Sequence, residues 1–274
     1  MKVGIIGTGS MGGMLAKSLV AYNVVKSHNL RLCNRTKDKA AKLAQEISGA
    51  TVDTRASATV SQSDLVFLCV RPAQFESIVK EIAPVASSDQ IFISITSPVP
   101  LHQLESRLPG RVVRAIPSIT NASGSGGMLL TFGKDFSAVE KEWFTAWFQQ
   151  ISRPTEITDD ITRIASDFVS CGPAFLAYFL KEWTEAAVKE TSISYTEAER
   201  LITTMMIGLG KLLEKEIYDL QTLQDKVCVP GGVTGEGIEA LQPYVEGMFD
   251  ELIQTTQAKY QEDVRNVNES FNGA

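Results

Sequence analysis

Residues 2–20 read KVGIIGTGSMGGMLAKSLV, a short apolar run, a glycine turn, then apolar residues at helical spacing. Gly7, Gly9 and Gly12 give GxGxxG. Alone that spacing is a weak signal. Between a strand and a helix it suits one chemistry, the holding of a pyrophosphate at a helix N-terminus. Gly7 permits the tight turn, Gly9 removes a side chain where phosphate oxygens approach, and Gly12 lets helix and strand pack closely. The plainer alternative is a tight turn with no ligand. The next apolar strand, LRLCNRT at residues 30–36, ends in Asn34, Arg35 and Thr36. A strand end serving NAD carries Asp or Glu for the ribose 2′-hydroxyl. A guanidinium and a hydroxyl suit a 2′-phosphate instead, so the expected cofactor is NADP (NADPH). Otherwise Arg35 is a solvated charge at a strand end. Residues 226–241, KVCVPGGVTGEGIEAL, place Pro230, Gly231, Gly232 and the Thr234 hydroxyl between two helical patterns. They form either a connecting loop or a backbone-lined pocket at a helix N-terminus.

The elements that must position these groups divide the chain in two. Further strands are expected at ATV near residue 51, DLVFLCV at 64–70, IFISI at 91–95 and VVRAI at 112–116, with helices between and edge strands at MLLTF and PTEIT. Apolar runs without alternation imply a parallel sheet covered on both faces, an α/β, doubly wound (Rossmann) architecture whose ligands bind at the carboxyl ends of the strands. VRP at residues 70–72 stops a strand at that edge. From about residue 161 the period becomes 3.6, in a long helical pattern broken at Gly172 and Pro173 and another opened by a capping box of Thr196 with Glu199. The expected division is therefore a nucleotide-binding domain over 1–160 and an all-α domain over 161–274. The helices of 161–215 are apolar on more than one face, which favours a homodimer or higher homo-oligomer over a thick internal core.

Composition narrows the classes. With 274 residues, 44% of them hydrophobic, the chain can build a full core. A net charge of −6 argues against nucleic acid as the main partner. The four cysteines lack CxxC spacing and the two histidines, His28 and His102, lack matching partners, so no metal is expected. No apolar run has transmembrane length, and the cytoplasm is the default location.

The order of motifs resembles the pyrroline-5-carboxylate reductase family over nearly the whole chain. IGTGSMG is similar to its cofactor loop, which brings Thr8, Ser10 and Met11 into the expected site beside the glycines. NRT matches its 2′-phosphate site. DLVFLCVRP resembles its fourth-strand signature, implying Cys69, Val70, Arg71 and Pro72 at the cofactor, with Arg71 where lysine is usual. SCGPAF at 170–175 and DKVCVPGGVTGEGIEAL resemble its two remaining signatures, implying Cys171, Gly172, Val229, Pro230, Gly231, Gly232 and Thr234 around a small cyclic imine. The resemblance implies an NADPH-binding sheet, a helical dimerisation domain and reduction of 1-pyrroline-5-carboxylate to proline. The glycines would bare backbone N–H groups for the substrate carboxylate, and Thr234 would offer its hydroxyl to the ring nitrogen, unless it only caps the following helix.

The departures are specific. Val229 and Cys171 stand where serine is usual. IPSIT puts Ser118 within the place of Met-Pro-Asn-Thr-Pro, ITSP replaces Ala-Ala-Gly, and Ala56 replaces a cofactor-contacting asparagine. They suggest a divergent bacterial member of the competence-operon type. The alternatives are a regulatory protein without catalysis, or a reductase of another small imine or carbonyl compound.

Overall fold

Strands β1 (Val3–Ile6), β2 (Leu30–Cys33) and β3 (Thr51–Asp53) alternate with helices α1 (Ser10–Ala21), α2 (Lys37–Ile47) and α3 (Ala56–Val60). β4 (Leu65–Leu68), α4 (Phe75–Ile82), β5 (Ile91–Ser94), α5 (Leu101–Glu105) and β6 (Arg111–Pro117) continue the pattern. β7 (Gly127–Phe132), α6 (Ala138–Gln149) and β8 (Arg153–Glu156) complete one sheet of order β3-β2-β1-β4-β5-β6-β7-β8. All neighbours are parallel except β6 and β7, which are antiparallel. The computed structural model describes residues 1–272.

The continuous apolar strands bury both of their faces. On β4, Leu65 and Phe67 join the core formed with Leu15 and Leu19 of α1 and Phe144 and Phe148 of α6. Val66 and Leu68 join the opposite core, with Phe75 and Val79 of α4 and Leu101 and Leu104 of α5. Alternate residues of one strand thus serve two layers, which is why no polar alternation marks the sequence.

The helical part follows as α7 (Thr162–Ser166), α8 (Gly172–Glu190), α9 (Tyr195–Glu214), α10 (Leu220–Val227), α11 (Val233–Val245) and α12 (Met248–Asn272). Three expectations change here. The boundary expected at 160/161 lies at 173/174, and the chain returns to the sheet unit from Thr255 onward. The return has a packing cause: Val267 and Phe271, each 1% exposed, fill the α4–α5 core. Arg107 donates to the Phe271 carbonyl at 2.6 Å and its guanidinium lies over the Phe271 ring. Second, Gly172 and Pro173 do not break the helix. A single π-turn, Asp167–Cys171, joins α7 to α8, and its wider spacing accommodates a proline that cannot donate a hydrogen bond. Third, the capping box of α9 is Ser194 with Glu197, two residues before the expected pair. Ser194 is the extended residue preceding the first helical turn, whereas Thr196 already lies inside the helix.

The second unit, residues 174–254, buries little by itself. Leu176, Tyr178, Trp183, Leu201, Ile207 and Tyr244 are all exposed.

Candidate functional site

The glycine turn is wedged between three strands. The Gly7 N–H donates to the Cys33 carbonyl at the end of β2, and the Cys69 N–H donates to the Ile6 carbonyl at the end of β1, both at 2.8 Å. These bonds hold the loop at the point where the strand order reverses, between β1 and β4. Gly7 has φ +98, and a Cβ there would run into the Cys69 carbonyl. A Cβ on Gly12 would run into the Gly7 carbonyl oxygen. A Cβ on Gly9 would meet nothing within 4 Å. Gly9 is the N-cap of α1 and offers no side-chain cap, so the first N–H groups of that helix face open space.

Asn34 ties the turn to the strand end. Its Oδ1 accepts from the Thr8 N–H at 3.1 Å, and its Nδ2 donates to the Thr36 carbonyl at 3.0 Å. Asn34 therefore braces the glycine turn, while Arg35 and Thr36 stay exposed.

A cleft of about 860 Å³ collects Gly7, Gly9, Asn34, Arg35, Thr36, Cys69, Val70 and Arg71. Of the other expected cofactor residues, Thr8 and Ser10 line a second hollow of about 690 Å³ against α2. Gly12 is buried, Met11 packs on the core beside α1, and Pro72 begins the turn 72–74 after β4. Sequence reasoning missed Lys39, Arg55 and Glu81, which also line the cleft. Burial pushes the Cys33 thiol up to about 11, with the nearby Glu81 and Asp53 carboxylates adding to the shift. Burial alone pushes the Cys69 thiol strongly up. Both stay neutral near pH 7, so neither opposes an anion in the cleft. Ser118 is fully buried, and its hydroxyl accepts from the Thr120 hydroxyl at 2.7 Å within the turn after β6. Ala56 is buried at the start of α3 and forms part of the cleft wall.

The residues present fit a dinucleotide. An open cradle stands at Gly9, and the Thr8 hydroxyl is buried beside it with no hydrogen-bond partner among the described residues. Four cationic side chains and one carboxylate line the cleft of a chain whose net charge is −6. Such a cleft concentrates anions.

The remaining expected residues are described separately. Cys171 and Gly172 belong to the first unit, at the end of the π-turn. Arg163 Nη2 donates to Asp167 Oδ1 at 2.8 Å and to Cys171 Sγ at 3.3 Å. Val229, Pro230, Gly231, Gly232 and Thr234 belong to the second unit. There the Gly232 N–H donates to the Val229 carbonyl at 2.9 Å, closing a turn in which Gly231 has φ +70. Gly232 is the N-cap of α11. Thr234 lies two residues inside the helix, exposed, and its side chain makes no hydrogen bond among the described residues. The capping role considered for Thr234 is therefore absent, and its hydroxyl is uncommitted.

A family model described as pyrroline-5-carboxylate reductase dimerisation matches residues 159–263, and one described as NADP oxidoreductase coenzyme F420-dependent matches residues 2–98. The chain is 43% identical over 271 residues to ComE operon protein 4 of Bacillus subtilis, covering 99% of each chain. It is 28% identical to pyrroline-5-carboxylate reductase 3 of the same organism, covering 95% of this chain and 96% of the relative. Among solved structures it shares its fold with the NADP-bound pyrroline carboxylate reductase of Plasmodium falciparum. That match has a TM-score of 0.83 and 22% identity over 97% of this chain and 98% of the other.

Proposed function

The chain belongs to the pyrroline-5-carboxylate reductase family, and from that premise we propose that it is an NADPH-dependent reductase of a small cyclic imine, with 1-pyrroline-5-carboxylate as substrate and proline as product. The observation that carries this reading is the pairing of features within one chain. A positive dinucleotide cleft sits on the sheet unit, and the second unit bears a glycine turn with a free hydroxyl at a helix N-terminus.

In this reading the glycine turn and the N-terminus of α1 hold the pyrophosphate, with Asn34 keeping the turn in place. Arg35 and Thr36 bind the 2′-phosphate. The first N–H groups of α11, bared by Gly231 and Gly232, seat the substrate carboxylate. Thr234 Oγ1 donates a hydrogen bond to the ring nitrogen and orients the imine carbon. When bound, the dihydronicotinamide supplies the hydride. No histidine or metal takes part in this scheme. The exposed apolar side chains of the helical unit are covered by a second copy in a homodimer.

The test is direct: purified protein, NADPH and 1-pyrroline-5-carboxylate, with NADPH oxidation followed optically and proline by chromatography. Stoichiometric formation of both products supports the reading. A second reading, a family member without this activity, is favoured by the greater identity to ComE operon protein 4 than to the reductase above, and by Val229 and Cys171 where serine is usual. It predicts NADPH binding with no oxidation.

A further inference from the structure

We infer that Arg55 is a second reader of the cofactor's 2′-phosphate, paired with Arg35 across the edge of neighbouring strands. The inference rests on the NADPH reading above and adds a residue that no motif marks. β2 and β3 run parallel with Cys33 opposite Asp53. Arg35 and Arg55 each stand two residues beyond these partners, past the carboxyl ends of the two strands. The strands they follow lie about 4.8 Å apart, and both long side chains line one cleft, which suits a common phosphate. Arg55 has extended backbone, φ −140 and ψ 147, as the residue before α3, and its side chain makes no capping bond. It is exposed and lines the same cleft as Arg35, Thr36 and Lys39.

The arginines of this edge differ in one respect. Arg31, within β2, is neutralised by Asp53, which accepts from its Nε at 2.9 Å. Arg35 and Arg55 have no ion-pair or hydrogen-bond partner for their guanidinium groups among the described residues. The carboxylate in the cleft, Glu81, is engaged elsewhere, accepting from the Ser57 N–H at 3.1 Å and its hydroxyl at 3.4 Å. Two like charges lining one cleft repel each other until an anion lies between them. A phosphomonoester on the ribose carries nearly two negative charges and accepts the forked hydrogen bonds of two guanidiniums. The 2′-hydroxyl of NAD supplies neither charge nor enough acceptors, so the pair sets cofactor choice as well as affinity.

Calorimetric titration of the full chain tests this with four ligands: NADPH, NADH, adenosine 2′,5′-bisphosphate and adenosine 5′-monophosphate. Arg55→Ala should weaken NADPH and the bisphosphate by about 10-fold, a typical loss for one charge-assisted hydrogen-bond set, while NADH and the monophosphate shift less than about twofold. Arg55→Gln keeps most of the stem and removes the charge, and should give the same pattern. Because Arg55 is exposed, thermal melting should be unchanged. Equal losses for NADPH and NADH, or no loss for either, would overturn the assignment. A wild-type protein that prefers NADPH while Arg55→Ala keeps the full preference sinks this inference alone. A wild-type protein with no preference sinks the NADPH reading together with it.

Discussion

The chain has two glycine turns that open a helix, and they are built differently. At the first, Gly7 before α1 and Gly12 within it are required by the chain itself, since a Cβ on either would strike backbone. At the second, Gly231 is required by its φ of +70 and Gly232 by the Val229 carbonyl, whereas Gly235 and Gly237 within α11 have nothing within 4 Å of where a Cβ would stand. The first turn is fixed by its own packing against three strands. The second is followed inside α11 by two costly residues, Gly235 and Gly237, that contacts among the described residues do not explain, in a helix that already contains Pro243. Under the proposed function, Gly235 and Gly237 leave room for a ligand or a partner chain close to the backbone. The first turn is thus fixed by its own backbone, and the proposed substrate role of the α11 turn would account for the two glycines that follow it.

Breaking the first turn should have the largest effect. Gly12→Ala forces the Gly7 carbonyl to move, and overpacking of this kind costs about 1–3 kcal/mol. A melt several degrees lower and NADPH affinity reduced by more than about 10-fold are expected, since the same carbonyl shift opens the phosphate cradle. An unchanged melt would mean that the turn is not wedged.

Thr234→Val sharpens the contrast. The hydroxyl has no partner among the described residues, so the melting temperature should stay within experimental error while kcat/KM falls about 10- to 100-fold. Steady-state kinetics and a thermal melt on one preparation decide it. Lost stability with intact turnover would assign Thr234 a structural role.

The smallest effect is expected at Gly237, exposed within α11. Gly237→Ala should stabilise the isolated helix by up to about 1 kcal/mol, because alanine restricts the unfolded chain. A chemical-denaturation midpoint that falls instead would show that space at Gly237 is already occupied in the folded protein, as by a second copy.

What was legible in the sequence follows the same divide. The glycine turn between strand and helix and the doubly wound sheet around it could be read because each depends on neighbours a few residues away. Arg55 could not be, because it follows a strand of three residues and owes its place to β2, some twenty residues earlier. Asn34 is placed at the cofactor by the NRT motif as a whole, and the motif does not show that its amide spans the turn and the strand end. Both Ser194 with Glu197 and Thr196 with Glu199 satisfy one capping pattern, and only the start of the helix separates them. Gly172 and Pro173 read as a break because the pattern of apolar residues does not show that a wide turn can absorb a proline. The return of Val267 and Phe271 to the sheet unit carries no local mark, since any amphipathic helix places apolar residues at that spacing.

The claim that the α11 turn seats a carboxylate is tested most directly by comparing two imines under identical conditions, 1-pyrroline-5-carboxylate and 1-pyrroline, which lacks the carboxylate. If the first N–H groups of α11 bind that group, kcat/KM for NADPH oxidation should be about 100-fold greater with the carboxylate present, the equivalent of one or two charge-assisted hydrogen bonds. Equal rates for the two imines, or NADPH bound with neither imine reduced, would contradict the account.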